Sequence, residues 1–468
     1  MSRRVVVIGA GIGGLAAAAC LAREGCDVTL LEARDAVGGL ASSERHDGLS
    51  FDAGPYVLLD RPGLAHAFQA LQLDIDSLGL QRIDDLLEIA RDDAPTLRLR
   101  ADLQATADGL DATWPGCGQR WMRFVAAMSR RRERLMPSLL APRPGLRSML
   151  RGGAWRDVGF LLGSLEDGVR PFGLPRAVED AVFIWTHVAG QRPDEAPAPL
   201  AFVPALVHGP GAWLPRGGIG RVATCLADAA IAAGGRIVTG CGVDAIRFEG
   251  RRVVGVRTSA GDDIAADAVV SNAGALATSE VLAPQLAASH RALSRMPLQS
   301  PGTCAYLAVR GVRPGPYLRF RLTAREGSPS RLLVLPSIVD ASLSREGWSP
   351  ARLIVPIAHA DAERLGADGQ RQFADALLAE TWWREHVDDA RVLAIRRPVD
   401  WASDFHLHRG AMNPVMTARL MRAGRVPHRS RQARGLYFAG SSTHPGQWVS
   451  FCALSGLHAA AAVLEDLA

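Results

Sequence analysis

A run of apolar, mostly β-branched residues, Arg4–Ile8, leads directly into Gly9-Ala10-Gly11-Ile12-Gly13-Gly14, and from there into the alanine-rich helix former Leu15–Glu24. Gly25 stops that helix, Asp27–Leu31 reads as a second buried strand, and Glu32 ends it. Few other arrangements constrain a chain so tightly. Gly9 permits a tight turn, Gly11 lets backbone approach a pyrophosphate, and Gly14 lets the helix pack close to the sheet. The helix N-terminus offers amides and a positive dipole end to phosphates, while Glu32 is placed to bond a ribose hydroxyl. Strand, glycines, helix, second strand and terminal acid together predict an α/β fold of Rossmann type that binds a dinucleotide.

The chain of 468 residues is 48% hydrophobic and 22% charged, enough for two to four folding units at about 100–200 residues each. It contains no lysine, so all 53 strong bases are arginine. A Schiff-base lysine, a phosphate-binding lysine and a lysine general base are thereby excluded. The net charge of +5 points only weakly to an anionic partner. The seven cysteines are scattered without a CxxC pair or zinc spacing, which predicts no disulfide framework and no metal, and suits a reducing cytoplasm. No cleavable leader precedes the first motif, and no apolar run of about 18 residues is found.

Further motifs follow in order. Glu32-Ala33-Arg34 continues to Gly38-Gly39-Leu40, and Gly48-Leu49-Ser50-Phe51-Asp52-Ala53-Gly54-Pro55-Tyr56 comes next. Trp213-Leu214-Pro215-Arg216-Gly217-Gly218 opens a helix, after which come Cys241-Gly242-Val243 and Asp267-Ala-Val-Val-Ser271-Asn272-Ala273. Near the end stand Gly435–Gly440, then Ser441-Ser442-Thr443-His444-Pro445-Gly446-Gln447-Trp448-Val449, and a small-residue helix over Ala453–Leu464. This series resembles the FAD-dependent phytoene and carotenoid desaturases of bacteria, within the amine-oxidase and phytoene-desaturase superfamily.

The resemblance implies FAD, with Gly9, Gly11, Gly13, Gly14 and Glu32 at the nucleotide end. Ala33, Arg34, Gly38, Gly39, Leu40, Gly54, Pro55 and Tyr56 would follow the pyrophosphate and ribityl chain, and the Val243 main chain would hold adenine. Asn272, Gly440, Ser441, Trp448 and Val449 would surround the ring end, where a helix N-terminus stabilises the anionic reduced flavin. It also implies a discontinuous FAD domain built from 1–75, 205–290 and 425–468. Between its parts lie a helical insert, 76–204, suited to a membrane surface, and a substrate domain, 295–424, expected as an antiparallel sheet.

Within the helical insert, Leu87–Ala90 and Thr96–Arg100 read as a hairpin. Beyond Gln119, arginines alternate with Leu146, Leu150, Trp155 and Phe160, a pattern that suits an anionic bilayer surface on the inner face of the cell membrane. Pro137, Pro142 and Pro144 predict two short helices with a break. Nucleic-acid binding is the poorer alternative for this stretch, given its high apolar content and the lack of a recognised motif.

The implied reaction is dehydrogenation of a long apolar polyene: hydride from an allylic CH₂ to the flavin, then loss of a proton, with oxygen or quinone as final acceptor. Arg147-Ser148-Met149-Leu150-Arg151 resembles an Arg-Asp-x-x-Arg element of the family, but Ser148 is no carboxylate base, so no proton acceptor is assigned there. Arg147, Arg151, His444 and Trp448 are the catalytic candidates. His187 reads as a core histidine, and His406, His408 and Arg409 as a polar island that could meet an oxygenated substrate end. The alternatives are a redox-neutral polyene isomerase, a saturase using reduced flavin, a flavin amine oxidase, and a scaffold in which FAD is only structural.

Overall fold

The computed structural model describes residues 3–143, 145–189, 191–286, 291–323, 330–423 and 425–468. Five parallel strands form one sheet in the order Leu436–Phe438, Ala268–Ser271, Arg4–Ile8, Asp27–Leu31, Arg236–Val238. Arg4–Ile8 lies at the centre, and its four apolar residues are buried, as a strand covered on both faces requires. The sheet therefore draws on three stretches of chain hundreds of residues apart.

Helix Ile12–Arg23 packs on this sheet and against the terminal helix Val449–Leu467, which begins four residues before the expected Ala453. A Cβ on Gly456 of that terminal helix would stand 2.2 Å from the Gly13 carbonyl oxygen, so the two helices touch backbone to backbone. Val449–Leu467 is long and apolar enough to cross a bilayer, but 67% of its apolar window is buried inside the protein, as in a core helix.

A second sheet has seven strands, in the order Asp389–Arg396, Thr303–Arg310, Ser349–Val355, Arg331–Val334, Leu318–Leu322, Asp85–Arg91, Leu97–Arg100. This corrects two expectations. The 85–100 hairpin belongs to this sheet and not to the helical insert, and its junction, Asp85–Arg91 with Leu318–Leu322, is parallel, so the sheet is mixed. The hairpin buries Leu87, Ile89, Leu97 and Leu99, and two strands alone cannot cover such a face.

The expected break between two helices falls at Pro142, between Cys117–Leu140 and Leu146–Gly152, but Pro137 does not interrupt the first of them, and Pro144 lies outside the described residues. The buried stripe Trp121, Phe124, Val125, Met128 and Leu135 holds this helix by packing, which offsets the one hydrogen bond that Pro137 removes.

Candidate functional site

The glycine-rich loop sits at the carboxyl end of Arg4–Ile8, with the Gly9 amide donating to the Leu31 carbonyl at 2.8 Å. Gly11 is the N-cap of Ile12–Arg23, no side chain caps it, and no acid occupies the first turn. Such an end is open to phosphate. The second glycine pair lies against the first loop: Gly38 (φ 109°) donates its amide to the Ala10 carbonyl at 2.7 Å, and a Cβ on Gly39 would meet the Gly11 Cα at 3.4 Å.

Glu32 is 7% exposed and accepts from the Ala10 amide at 2.6 Å and from the Arg34 amide at 3.0 Å, each on a different oxygen. Every carboxylate oxygen has a second lone pair, so a ribose hydroxyl still finds an acceptor there. The Arg34 guanidinium reaches Ser42 Oγ at 3.3 Å and Glu44 at 3.3 Å and lies 4.0 Å from the Phe405 ring centre, so here it braces the Gly38–Gly39 turn. The strand starting at Val243 is drawn to the same end, because the Cys241 amide donates to the Glu32 carbonyl at 2.8 Å and the Gly240 amide to that of Arg34 at 2.7 Å. Ala33 is brought there as well, 3.8 Å from where a Cβ on Gly242 would be.

Asn272, expected at the ring end, lies instead against the first glycine loop, because it wedges between that loop and Gly440 and donates from Nδ2 to the Gly9 carbonyl at 3.4 Å. A Cβ on Gly11, Gly13 or Gly440 would lie 2.7, 2.7 or 2.3 Å from an atom of its carboxamide. Three distant segments thus meet at one side chain, in a seam only glycines can line. The Gly440 amide donates to Ser455 Oγ of the terminal helix at 2.9 Å, and both Ser455 and Thr443 are fully buried. Asn413 bridges the next two residues, donating from Nδ2 to Ser441 Oγ at 2.8 Å and accepting from Ser442 Oγ at 2.8 Å. Trp448 is the N-cap of the terminal helix and stacks on Phe451 at 5.1 Å, Val449 is its buried first residue, and neither a cap nor an acid neutralises that helix end.

His444 donates from Nε2 to the Leu139 carbonyl oxygen, 3.2 Å away, and stacks on His458 at 5.9 Å. Burial, with Arg425 and His428 nearby, pushes its pKa down to about 4, so it is neutral at pH 7. Opposite a carbonyl, Nε2 carries the proton and Nδ1 keeps the lone pair.

Leu40 and Gly54 touch, since a Cβ on Gly54 would stand 2.6 Å from the Leu40 carbonyl oxygen. The Arg352 guanidinium, 3% exposed, donates to the carbonyls of Asp52, Ala53 and Gly54 at 2.6, 3.0 and 3.1–3.2 Å, fixing the turn that leads to Pro55 and buried Tyr56. Burial raises the Asp52 carboxyl to about 6 against the lowering effect of Arg352, and it accepts the Ile219 amide at 2.7 Å, at the start of helix Gly220–Ala232.

Other candidates stand apart. Arg147 and Arg151 lie exposed on Leu146–Gly152, where Ser148 bonds to Gly145. His408 pairs with Glu280 at 2.8 Å, Arg409 approaches Glu363 at 3.8 Å, and His406 is exposed. The His187 side chain lies outside the described residues. Arg352 and Asn413 were not legible as site residues, because their partners lie 300 and 28 positions away, whereas Ser455 stands in the Ser455-Gly456 pair of the terminal helix and only its bond to the Gly440 amide went unforeseen. A narrow cleft of about 20 Å³ lies beside Ser441 and Ser442, lined also by Leu276, Met416 and Arg425.

The residues fit a flavin dinucleotide. The helix starts at Gly11 and Trp448 are uncapped and free of acid, so each can face an anionic group, and Glu32 keeps free lone pairs for a ribose hydroxyl. Comparison with known proteins agrees. The family described as flavin containing amine oxidoreductase matches residues 12–464. A 4,4'-diapolycopene oxygenase of Methylomonas sp is 26% identical over 100% of this chain and 99% of its own. A hydroxyneurosporene desaturase of Cereibacter sphaeroides is 31% identical, over 99% of this chain and 98% of its own. An oxidoreductase from Methanosarcina mazei shares the fold, with a TM-score of 0.65 at 19% identity over 99% of this chain and 100% of the other. With this match spanning nearly its whole length, the chain belongs to the flavin containing amine oxidoreductase family, alongside the carotenoid desaturases, and is an FAD-dependent oxidoreductase.

Proposed function

We propose that this enzyme dehydrogenates a long apolar polyene, a carotenoid or a compound like one, turning a CH–CH unit beside the conjugated chain into C=C with loss of two hydrogens. The lining of the cleft beside Ser441 carries this reading: apolar residues such as Leu276, Leu293, Met416 and Leu420 predominate over the neutral polar Asn413, Ser441, Ser442 and Gln447, and its charged group among the described residues is the Arg425 guanidinium. Such a lining accepts an apolar chain and repels an ammonium, which speaks against an amine substrate. The carotenoid desaturases and oxygenase among the relatives support the same class.

Bound FAD supplies a two-electron acceptor for a hydride from carbon. The glycine seam, Glu32 and Val243 hold the nucleotide end, while Ser441, Trp448 and Val449 frame the ring end. The stacked pair Trp448 and Phe451 excludes water from a cationic polyene, which delocalisation alone must otherwise protect. His444, with its lone pair at Nδ1, is the group we assign to proton uptake.

The substrate dissolves in bilayers, and the surface supports a membrane-docking role for 146–162. Leu146, Leu150, Trp155 and Leu162 are 72%, 55%, 52% and 49% exposed, with Arg143, Arg147, Arg151 and Arg156 exposed among them. This face would lie on the inner leaflet and load the substrate, and oxygen or quinone would reoxidise the flavin.

Anaerobic mixing of the holoenzyme with carotenoid precursors in vesicles tests the reading. A dehydrogenase bleaches its flavin once per double bond and gives a product lighter by two hydrogens. Product with unchanged flavin would make it an isomerase, flavin oxidised from the reduced state would make it a saturase, and peroxide released with amines would make it an amine oxidase.

A further inference from the structure

We propose that Arg425 and Ser441 form a subsite for a carboxylate at the end of an apolar chain, so that the substrate is a polyene acid; this rests on the polyene reading above. The nearest contacts of the Arg425 guanidinium are thioethers, with Nη2 2.9 Å from Met416 Sδ and 4.0 Å from Met421 Sδ. A thioether is a weak acceptor and neutralises no charge. No carboxylate among the described residues pairs with it. Other arginines in sheltered positions do have one: Arg132 with Asp60 at 2.9 Å, Arg134 with Asp157 at 2.6 Å, and Arg396 with Glu44 at 2.8 Å. Burial pushes the Arg425 pKa down to about 10, which still leaves it charged at neutral pH. A desolvated charge without a partner is unfavourable, and a ligand that brings the opposite charge relieves it.

The rest of the lining is biased the same way. Ser442 already donates to Asn413 Oδ1 and accepts from the Ala275 amide at 3.1 Å. Ser441 Oγ accepts from Asn413, which leaves its hydroxyl hydrogen to be given away. The cleft lining therefore combines a planar guanidinium fork and a hydroxyl donor with the apolar Leu276, Leu293 and Leu420. A carboxylate takes two parallel bonds from such a fork. A phosphate monoester would bring close to two charges to a single arginine and leave one unmet.

The test uses equilibrium binding to the holoenzyme, read by tryptophan quenching, with retinoic acid and retinol as a matched polyene acid and alcohol. The wild type should bind the acid about tenfold more tightly or better. Arg425→Met, which suits the two methionines, should erase that preference while alcohol affinity stays within about twofold, and Arg425→Lys should restore part of it. Equal affinity of the wild type for acid and alcohol overturns the proposal without any variant. So does a change in the flavin spectrum or affinity of Arg425→Met without ligand, which would assign the guanidinium to the cofactor ring. Flavin bleaching by a hydrocarbon polyene without any acid preference would sink this subsite alone, whereas acid preference with no bleaching by any polyene would sink the dehydrogenase reading.

Discussion

One added carbon at Gly456 would lie 2.2 Å from the Gly13 carbonyl oxygen, too close for any side chain to coexist with the observed packing. Gly456→Ala must push the terminal helix off Ile12–Arg23, and we expect a loss of about 1–3 kcal/mol in urea unfolding together with faster release of flavin. Ser455→Ala acts differently. It leaves the buried Gly440 amide without its acceptor, a loss of about 1–3 kcal/mol with no steric component. The glycines were legible because backbone approach excludes all other residues. Arg352 was not, since it binds three carbonyls about 300 positions away and any arginine in a strand reads the same.

At the scale of elements, the exposed apolar row on 146–162 gives a direct expectation. Replacing Leu146, Leu150 and Trp155 by serine should weaken binding to anionic vesicles by roughly tenfold or more, while turnover of detergent-dispersed substrate stays near wild type. Raised salt should weaken vesicle binding of both forms, because each arginine near the surface contributes about 1 kcal/mol at low ionic strength. Co-sedimentation with vesicles measures both effects. Strand and helix periodicity placed most elements to within a few residues, as with Asp27–Leu31 and the helix ending at Ala232. It failed where long-range packing decides: Pro137 stays helical because five buried residues hold its helix, and the 85–100 hairpin joins a sheet whose other strands come two hundred residues later.

For the molecule as a whole, the buried histidines set an acid limit. His444 and His458 are pushed down to about 4 and about 3 from their ordinary 6.5, and His428 is lowered as well, in each case chiefly by burial. A lowered histidine pKa means the unfolded chain takes up protons that the folded one refuses. Their stabilising effect is complete above pH 6.5 and fades as pH falls toward 4, with a slope of about 1.4 kcal/mol per pH unit for each proton. Asp52, raised to about 6, acts in the opposite sense over part of that range, so the net loss is smaller than the histidines alone would give. Urea midpoints at pH 7 and pH 5 should show the drop, and His458→Phe should flatten it.

The meeting of Gly11, Asn272 and Gly440 also fixes when the pigment can enter. A nascent chain has the first loop after a few dozen residues, but the last wall of the berth comes only with Gly440. Colour cannot come before that residue has been made, and a chain stalled or clipped ahead of it should emerge from the ribosome pale and stay so, however much vitamin the cell supplies.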